Sequence, residues 1–220
     1  MKRVSMASAH PTDDMLASYA TGAASPGVAL LVAAHLTYCA RCRARVAAME
    51  AVGGALLATS PADCAPPRLE SVMARLDGAR ADRPKAKASG LSIRDPILPG
   101  PIRDAFGAPL SEIRWRFRMP GVSECELPGT GPERVSLLRV RPGAGVPAHT
   151  HTGVEATLVL SGALLDRGAV HLPGDVAVAT SDDDHHPRAV DGEECVCLTV
   201  LGGAVRFTGT FGRALNIFAE

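Results

Sequence analysis

The stretch from Gly143 to Gly162 reads GAGVPAHTHTGVEATLVLSG. His149 and His151 are two residues apart, and on a strand such neighbours point to the same side. Thr152 and Gly153 can bend the chain, which returns Glu155 to that side. Two imidazoles and a carboxylate form a face suited to a divalent metal. A solvated turn would explain HTH alone. It does not explain the glutamate and the framing glycines at their fixed distances.

The segments around this stretch alternate as strands do. They include IRWRFRM (Ile113 to Met119), RVSLLRVRPG, EATLVLSGALL, DVAVAT and ECVCLTVLGGAVRFTG, with Gly, Pro and Asp between them. Several short strands with regular turn signals predict a β-barrel or a double-sheet jelly roll. Within this region LPGDVAVATSDDDHHPRAV turns at Pro173, Gly174 and Asp175, then presents His185 and His186. Adjacent strand residues face opposite ways, so one of these two histidines is the candidate fourth ligand. Cys195 and Cys197 share a strand face and can sit inside the barrel. His171 has no evident partner and reads as a strand or surface residue.

The first third of the chain is different in kind. Thr12, Asp13 and Asp14 supply an N-cap and an acidic first turn for MLASYATG, which Gly22 can close. Ser25 and Pro26 open GVALLVAAHLTYC, apolar on most faces and therefore expected to be buried. A third helix, ARCRARVAAMEAVGGALLAT, starts near Cys39 to Cys42. The chain breaks between Asp63 and Pro67. RLESVMARLDG then places Leu69, Val72, Met73 and Leu76 on one face of an amphipathic fourth helix. From Ala79 to Pro101 the composition turns to Arg, Lys, Ala and Pro, which reads as a linker.

A second cluster lies in the helical part. In HLTYCARCRARV, His35 and Cys39 are one helical turn apart, and Cys42 follows three residues on. Cys42 joins them if the chain turns near Tyr38 and Cys39. Zinc takes four ligands in a tetrahedron, commonly two cysteines and two histidines. His10 is the candidate fourth ligand, with Cys64 as the alternative. A small helical unit poor in aromatics gains stability from such a metal.

Composition narrows the function classes. The chain has 220 residues, of which 46% are apolar and 4% aromatic, so its core is aliphatic. Lys+Arg and Asp+Glu are both 23. A net charge of zero gives no basic face for direct nucleic-acid binding and points to a protein or small-molecule partner. The start, MKRVSMASAHPTDD, has no apolar segment behind its basic residues, and VALLVAAHL is too short to span a bilayer. The expected location is the cytoplasm, without membrane attachment. There C-x2-C favours metal or redox chemistry over a structural disulfide.

HPTDDMLASYATG followed by AAHLTYCARCRARVAAMEAVGG resembles the zinc-binding anti-sigma domain of bacteria, whose signature is H-x3-C-x2-C with an upstream histidine. The stretch from Gly143 to Gly162 matches the first cupin motif, G-x5-H-x-H-x3-E-x6-G. Together the two resemble the ChrR-type subgroup, an anti-sigma domain followed by a cupin. The resemblance implies an α+β multidomain chain: a zinc-bound helical domain over 1–78, a linker over 79–100, and a β-barrel or jelly-roll cupin sensor over 101–220. It implies zinc on His10, His35, Cys39 and Cys42. It also implies zinc, or another divalent metal, on His149, His151, Glu155 and His185. The subgroup's H-x-P pattern selects His185, with Pro187 two residues on. Its CxCL pattern makes Cys195 and Cys197 a candidate redox pair.

The function implied is that of an anti-sigma factor, not an enzyme. It would bind and silence an extracytoplasmic-function sigma factor, with the fourth helix packed on that partner. Singlet oxygen or related oxidants, sensed through the cupin, would release it. The alternative is a metal-dependent cupin oxygenase carrying a helical zinc-binding appendage. No residues assignable to substrate binding or to an acid–base pair support it, and an oxygenase has no need of the appended domain. No role is assigned to Cys125, Cys64 or Trp115.

Overall fold

The hydroxyl of Thr12 accepts the N–H of Met15 at 3.3 Å and so opens the first helix, α1 (Asp13–Ala20), as its position before two aspartates predicts. The computed structural model describes residues 7–59, 68–81 and 95–208. Cys64 and most of the expected linker lie outside these. Gly22, at φ 72°, reverses the chain after α1. Helix α2 (Pro26–Tyr38) begins with proline in its first turn, and α3 (Ala40–Thr59) follows with only Cys39 between them. Helix α4 (Leu69–Ala81) forms where the amphipathic pattern places it.

Packing divides the chain into two units. One joins Met1–Ala51 to Asp95–Glu220, and the other is Val52–Arg94. In the second unit several large apolar residues are exposed: Leu56 and Leu57 on α3, Leu69, Met73 and Leu76 on α4, while Val72 is half-buried.

The first unit is built on antiparallel strands. Their order along the chain is β1 (Arg116–Met119), β2 (Val122–Leu127), β3 (Glu133–Val140), β4 (His149–His151), β5 (Glu155–Ser161) and β6 (Leu164–Asp166). Then come β7 (Ala169–His171), β8 (Val176–Ala179), β9 (Arg188–Ala189), β10 (Cys195–Gly202) and β11 (Val205–Phe207). A six-stranded sheet runs β1-β2-β3-β10-β5-β8, and the smaller sheets are β7-β6-β9 and β11-β4. This is the expected double-sheet cupin architecture, preceded by the expected helices.

Helix α2 lies on the large sheet, against β3, β5 and β10. Leu31, Val32 and Ala34 are fully buried in a core shared with Leu137, Leu158 and Leu198. The approach is close at Gly27, where a Cβ would stand 2.8 Å from side-chain carbons of both Val135 and Val200. Glu133, at the start of β3, fixes this end of the helix. Its carboxylate accepts the Ser25 hydroxyl at 2.6 Å and the Gly27 N–H at 3.0 Å, next to the positive end of the helix dipole. Packing therefore joins the first helices to the β-strands, which the sequence reading keeps apart.

One element was not expected. Helix α5 (Gly100–Phe106) begins inside the stretch read as linker, and Ile102 is fully buried. Asp95 anchors it by accepting the N–H groups of Ile97 and Leu98 at 2.8 Å and of Leu110 at 2.6 Å. The proline-rich composition hid this turn, because the anchor depends on a contact fifteen residues away.

Candidate metal centres

At the junction of α2 and α3, Cys39 leaves the helical region, with φ −111° and ψ 104°. The break brings its sulfur and that of Cys42 onto the face already occupied by His35. The Cys42 N–H donates to the Cys39 sulfur at 3.4 Å. His10 enters from the segment before α1, its Nδ1 3.5 Å from both sulfurs. The ligand atoms of His10, His35, Cys39 and Cys42 all lie within 4.8 Å of one another.

The state of His35 fits a metal ligand. Its Nδ1 is 2.7 Å from the carbonyl of Gly174, so Nδ1 carries the proton. Nε2 is then a bare lone pair, fully buried and without a hydrogen-bond partner among the described residues. Burial lowers the pKa of this ring, against the opposing pull of the Gly174 carbonyl. The imidazole is thus kept neutral, as a metal ligand must be. Burial, and then the neighbouring Cys39, push the Cys42 thiol up to about 11. A cation placed among these atoms would draw off the thiol protons and occupy the His35 lone pair.

The second cluster forms where β4 meets β5. His149 and His151 project from one face of β4, and the turn at Thr152 and Gly153 brings in Glu155, the first residue of β5. Gly153 is required there, since a Cβ would overlap the carbonyl of Gly202. His185 pairs with His149 through an isolated antiparallel bridge. The ligand atoms of His149, His151, Glu155 and His185 also lie within 4.8 Å of one another. His185 is 5% exposed, whereas its neighbour His186 faces solvent.

Outer contacts set the ring orientations. His149 Nδ1–H donates to the Pro147 carbonyl at 2.8 Å, and His185 Nδ1–H to both Asp166 oxygens at 3.1 Å. The Nε2 lone pairs therefore point inward. His185 Nε2 and His151 Nε2 stand 3.2 Å apart, and His151 Nε2 is 2.8 Å from Glu155 Oε2. Such crowding of nitrogen donors fits a cation at the centre. Burial alone would raise the Glu155 pKa, but the His149 and His151 rings hold it well below the usual carboxylate range. Asp166 behaves alike: His185 outweighs its burial and keeps it ionised.

The site lies on the wall of a cavity of about 310 Å³. His149 and Glu155 line it together with Cys197, Phe207, Arg118 and Arg134. Cys195 and Cys197 are both buried, with their sulfurs 3.9 Å apart. The contact with Cys195, and then burial, hold the Cys197 thiol well above its ordinary value.

The structure thus brings together the eight ligand residues read from the sequence, in two sets. Asp166, the Pro147 and Gly174 carbonyls and Glu133 were not anticipated. Asp175 was read only as part of a turn.

Residues 104–205 match the ChrR cupin-like domain family. The anti-sigma-E factor ChrR of Cereibacter sphaeroides is 37% identical over 210 residues, covering 95% of this chain and 96% of that protein. The crystal structure of Rhodobacter sphaeroides SigE in complex with the anti-sigma factor ChrR contains a similar chain. It is 38% identical, with a TM-score of 0.76 over 89% of this chain and 100% of that one. A likeness of this strength, running through helices and strands alike, means that this chain belongs to the ChrR family of anti-sigma factors.

Proposed function

We propose that this protein binds and inhibits an extracytoplasmic-function sigma factor, and lets it go when oxidants, singlet oxygen among them, act on the cupin site. The observation that carries the reading is the end-to-end likeness to a chain solved in complex with SigE. The exposed apolar residues of α3 and α4 support it. Val52, Leu56, Leu57 and Leu69 are each at least 63% exposed, and apolar surface of this kind is suited to a protein partner. The helical segment 1–78 supplies the grip, and the cupin over 101–220 modulates it. Zinc is the ion that suits the Cys2His2 set. The three-histidine, one-glutamate set takes zinc or another divalent metal. No helix among the described residues is long and apolar enough to cross a membrane, which is consistent with action beside RNA polymerase in the cytoplasm.

The test is transcription with a purified core polymerase, the sigma factor encoded in the same genome, and this protein. Transcription should fall as the protein is titrated in. Leu56→Asp with Met73→Asp should restore it while the protein's circular dichroism stays unchanged. A singlet-oxygen generator should restore it with the unmutated protein, but not after Glu155→Ala. Undiminished transcription at excess protein would sink the inhibitory role. Equal oxidant response after Glu155→Ala would sink the cupin as sensor.

A further inference from the structure

One turn of the β-strands, Leu172 to Asp175 between β7 and β8, reaches the helical metal cluster in two places. Asp175 is 1% exposed. Its Oδ1 accepts the backbone N–H groups of Ser8 and Ala9, and its Oδ2 accepts that of Leu172 at 2.8 Å. The Ser8 hydroxyl adds a bond at 3.2 Å, and the Val176 N–H donates to the Ala9 carbonyl at 3.1 Å. These bonds clamp the residues that lead into His10. Beside them the Gly174 carbonyl holds the His35 ring at 2.7 Å. Gly174 has φ 99°, and a Cβ there would lie 2.9 Å from the Tyr38 Cβ. Two of the four helical ligands are therefore held from outside by a single turn.

The same turn is tied to the other cluster. Strand β8 pairs with β5 from Glu155↔Ala179 to Leu158↔Val176. Beyond that register, the Val159 N–H donates to the Asp175 carbonyl at 3.0 Å, and the Gly174 N–H to the Val159 carbonyl at 2.9 Å. The β5–β8 pair thus carries Glu155 at one end and the clamping turn at the other.

We propose that the Gly174–Asp175 turn couples the two metal sites. Its residues act as positioning residues for the helical metal, and the filled cupin site keeps the turn in place through the β5–β8 ladder. Emptying the cupin site then loosens the ion held by His10, His35, Cys39 and Cys42. Contacts made to ligands from outside typically alter metal affinity by about 10–100-fold, enough to make such a link effective. The inference rests on both sites holding metal, as proposed above.

The experiment uses the full-length chain loaded with zinc alone. Metal content is measured first. Zinc release to a chromophoric chelator is then followed together with alkylation of Cys39 and Cys42, which reports on the helical site. Asp175→Ala should speed helical release by roughly 10–100-fold while the cupin metal stays bound. Asp175→Asn keeps one acceptor oxygen, should fall between the two, and serves if the alanine variant does not fold. Glu155→Ala with His185→Ala, which empties the cupin, should also speed helical release, but should add little once Asp175 is already alanine. Folded Asp175 variants that release zinc at the unmutated rate would overturn the proposal. So would a cupin effect of equal size with and without Asp175. An unmutated chain that retains no zinc would overturn both this coupling and the metal-based reading beneath it.

Discussion

The carboxylate of Asp166 stands 3.1 Å behind the His185 ring and accepts its Nδ1–H through both oxygens. It fixes the tautomer and aims Nε2 at His151. Asp166→Asn keeps the shape but can present an amide N–H to that ring nitrogen. We expect the cupin site to lose about 10–100-fold in metal affinity, and the helical site to hold its ion as before for as long as the cupin stays filled. Competition with a chelator of known affinity measures both.

His185 and His186 are neighbours with opposite fates, one buried in the cluster and one in solvent. His185→Ala should empty the cupin site, and His186→Ala should leave it filled. Metal analysis of the two purified proteins checks this. The reverse pattern would shift the last ligand by one position.

The pH dependence of stability should carry the mark of Asp175. Burial alone would raise its pKa, but the N–H groups of Leu172, Ala9 and Ser8 hold it below the ordinary value. A carboxylate lowered in the folded state stabilises the fold above its unfolded pKa of about 3.9 and loses that contribution as pH falls through the folded value. The gap in urea midpoint between the unmutated chain and Asp175→Asn should therefore be constant from pH 7 to about 4.5 and shrink at lower pH.

Gly27 sits where α2 presses on β3 and β10. Gly27→Ala favours the helix by propensity, yet places a methyl group within 2.8 Å of two valines. Overpacking of this kind typically costs about 1–3 kcal/mol, more than the roughly 0.5–1 kcal/mol that alanine gains over glycine in a helix. Thermal unfolding should show a lower midpoint, and a higher one would mean that the helix can move away from the sheet.

The two candidate metal clusters were legible in the sequence because each is mostly local. His35, Cys39 and Cys42 sit at helical spacing, and His149, His151 and Glu155 at strand-and-turn spacing. Caps and periodicity likewise revealed the first four helices and most of the described strands. What escaped was whatever joins distant segments. Glu133 caps a helix more than a hundred residues upstream. Asp166 reaches His185 from a three-residue strand with no motif around it. Asp175 belongs to a turn that is common in itself, and only the fold reveals that Ser8 and Ala9 lie against it. The α5 anchor likewise needed a partner that no local pattern names.

The burial of α2 against β10 sets a schedule for synthesis. The helix leaves the ribosome early, whereas Leu198 and Val200, which share its apolar core, belong to β10, late among the described strands. At ~5–20 residues per second the gap between them is roughly 10–30 s. Until β10 arrives, Leu31 and Val32 have only β3 and β5 to rest on, without the strand that joins the two. A newborn chain must therefore shield this helix, by a chaperone or by early capture of a partner, before its own last strands arrive. Chains interrupted late in translation should be the ones that aggregate.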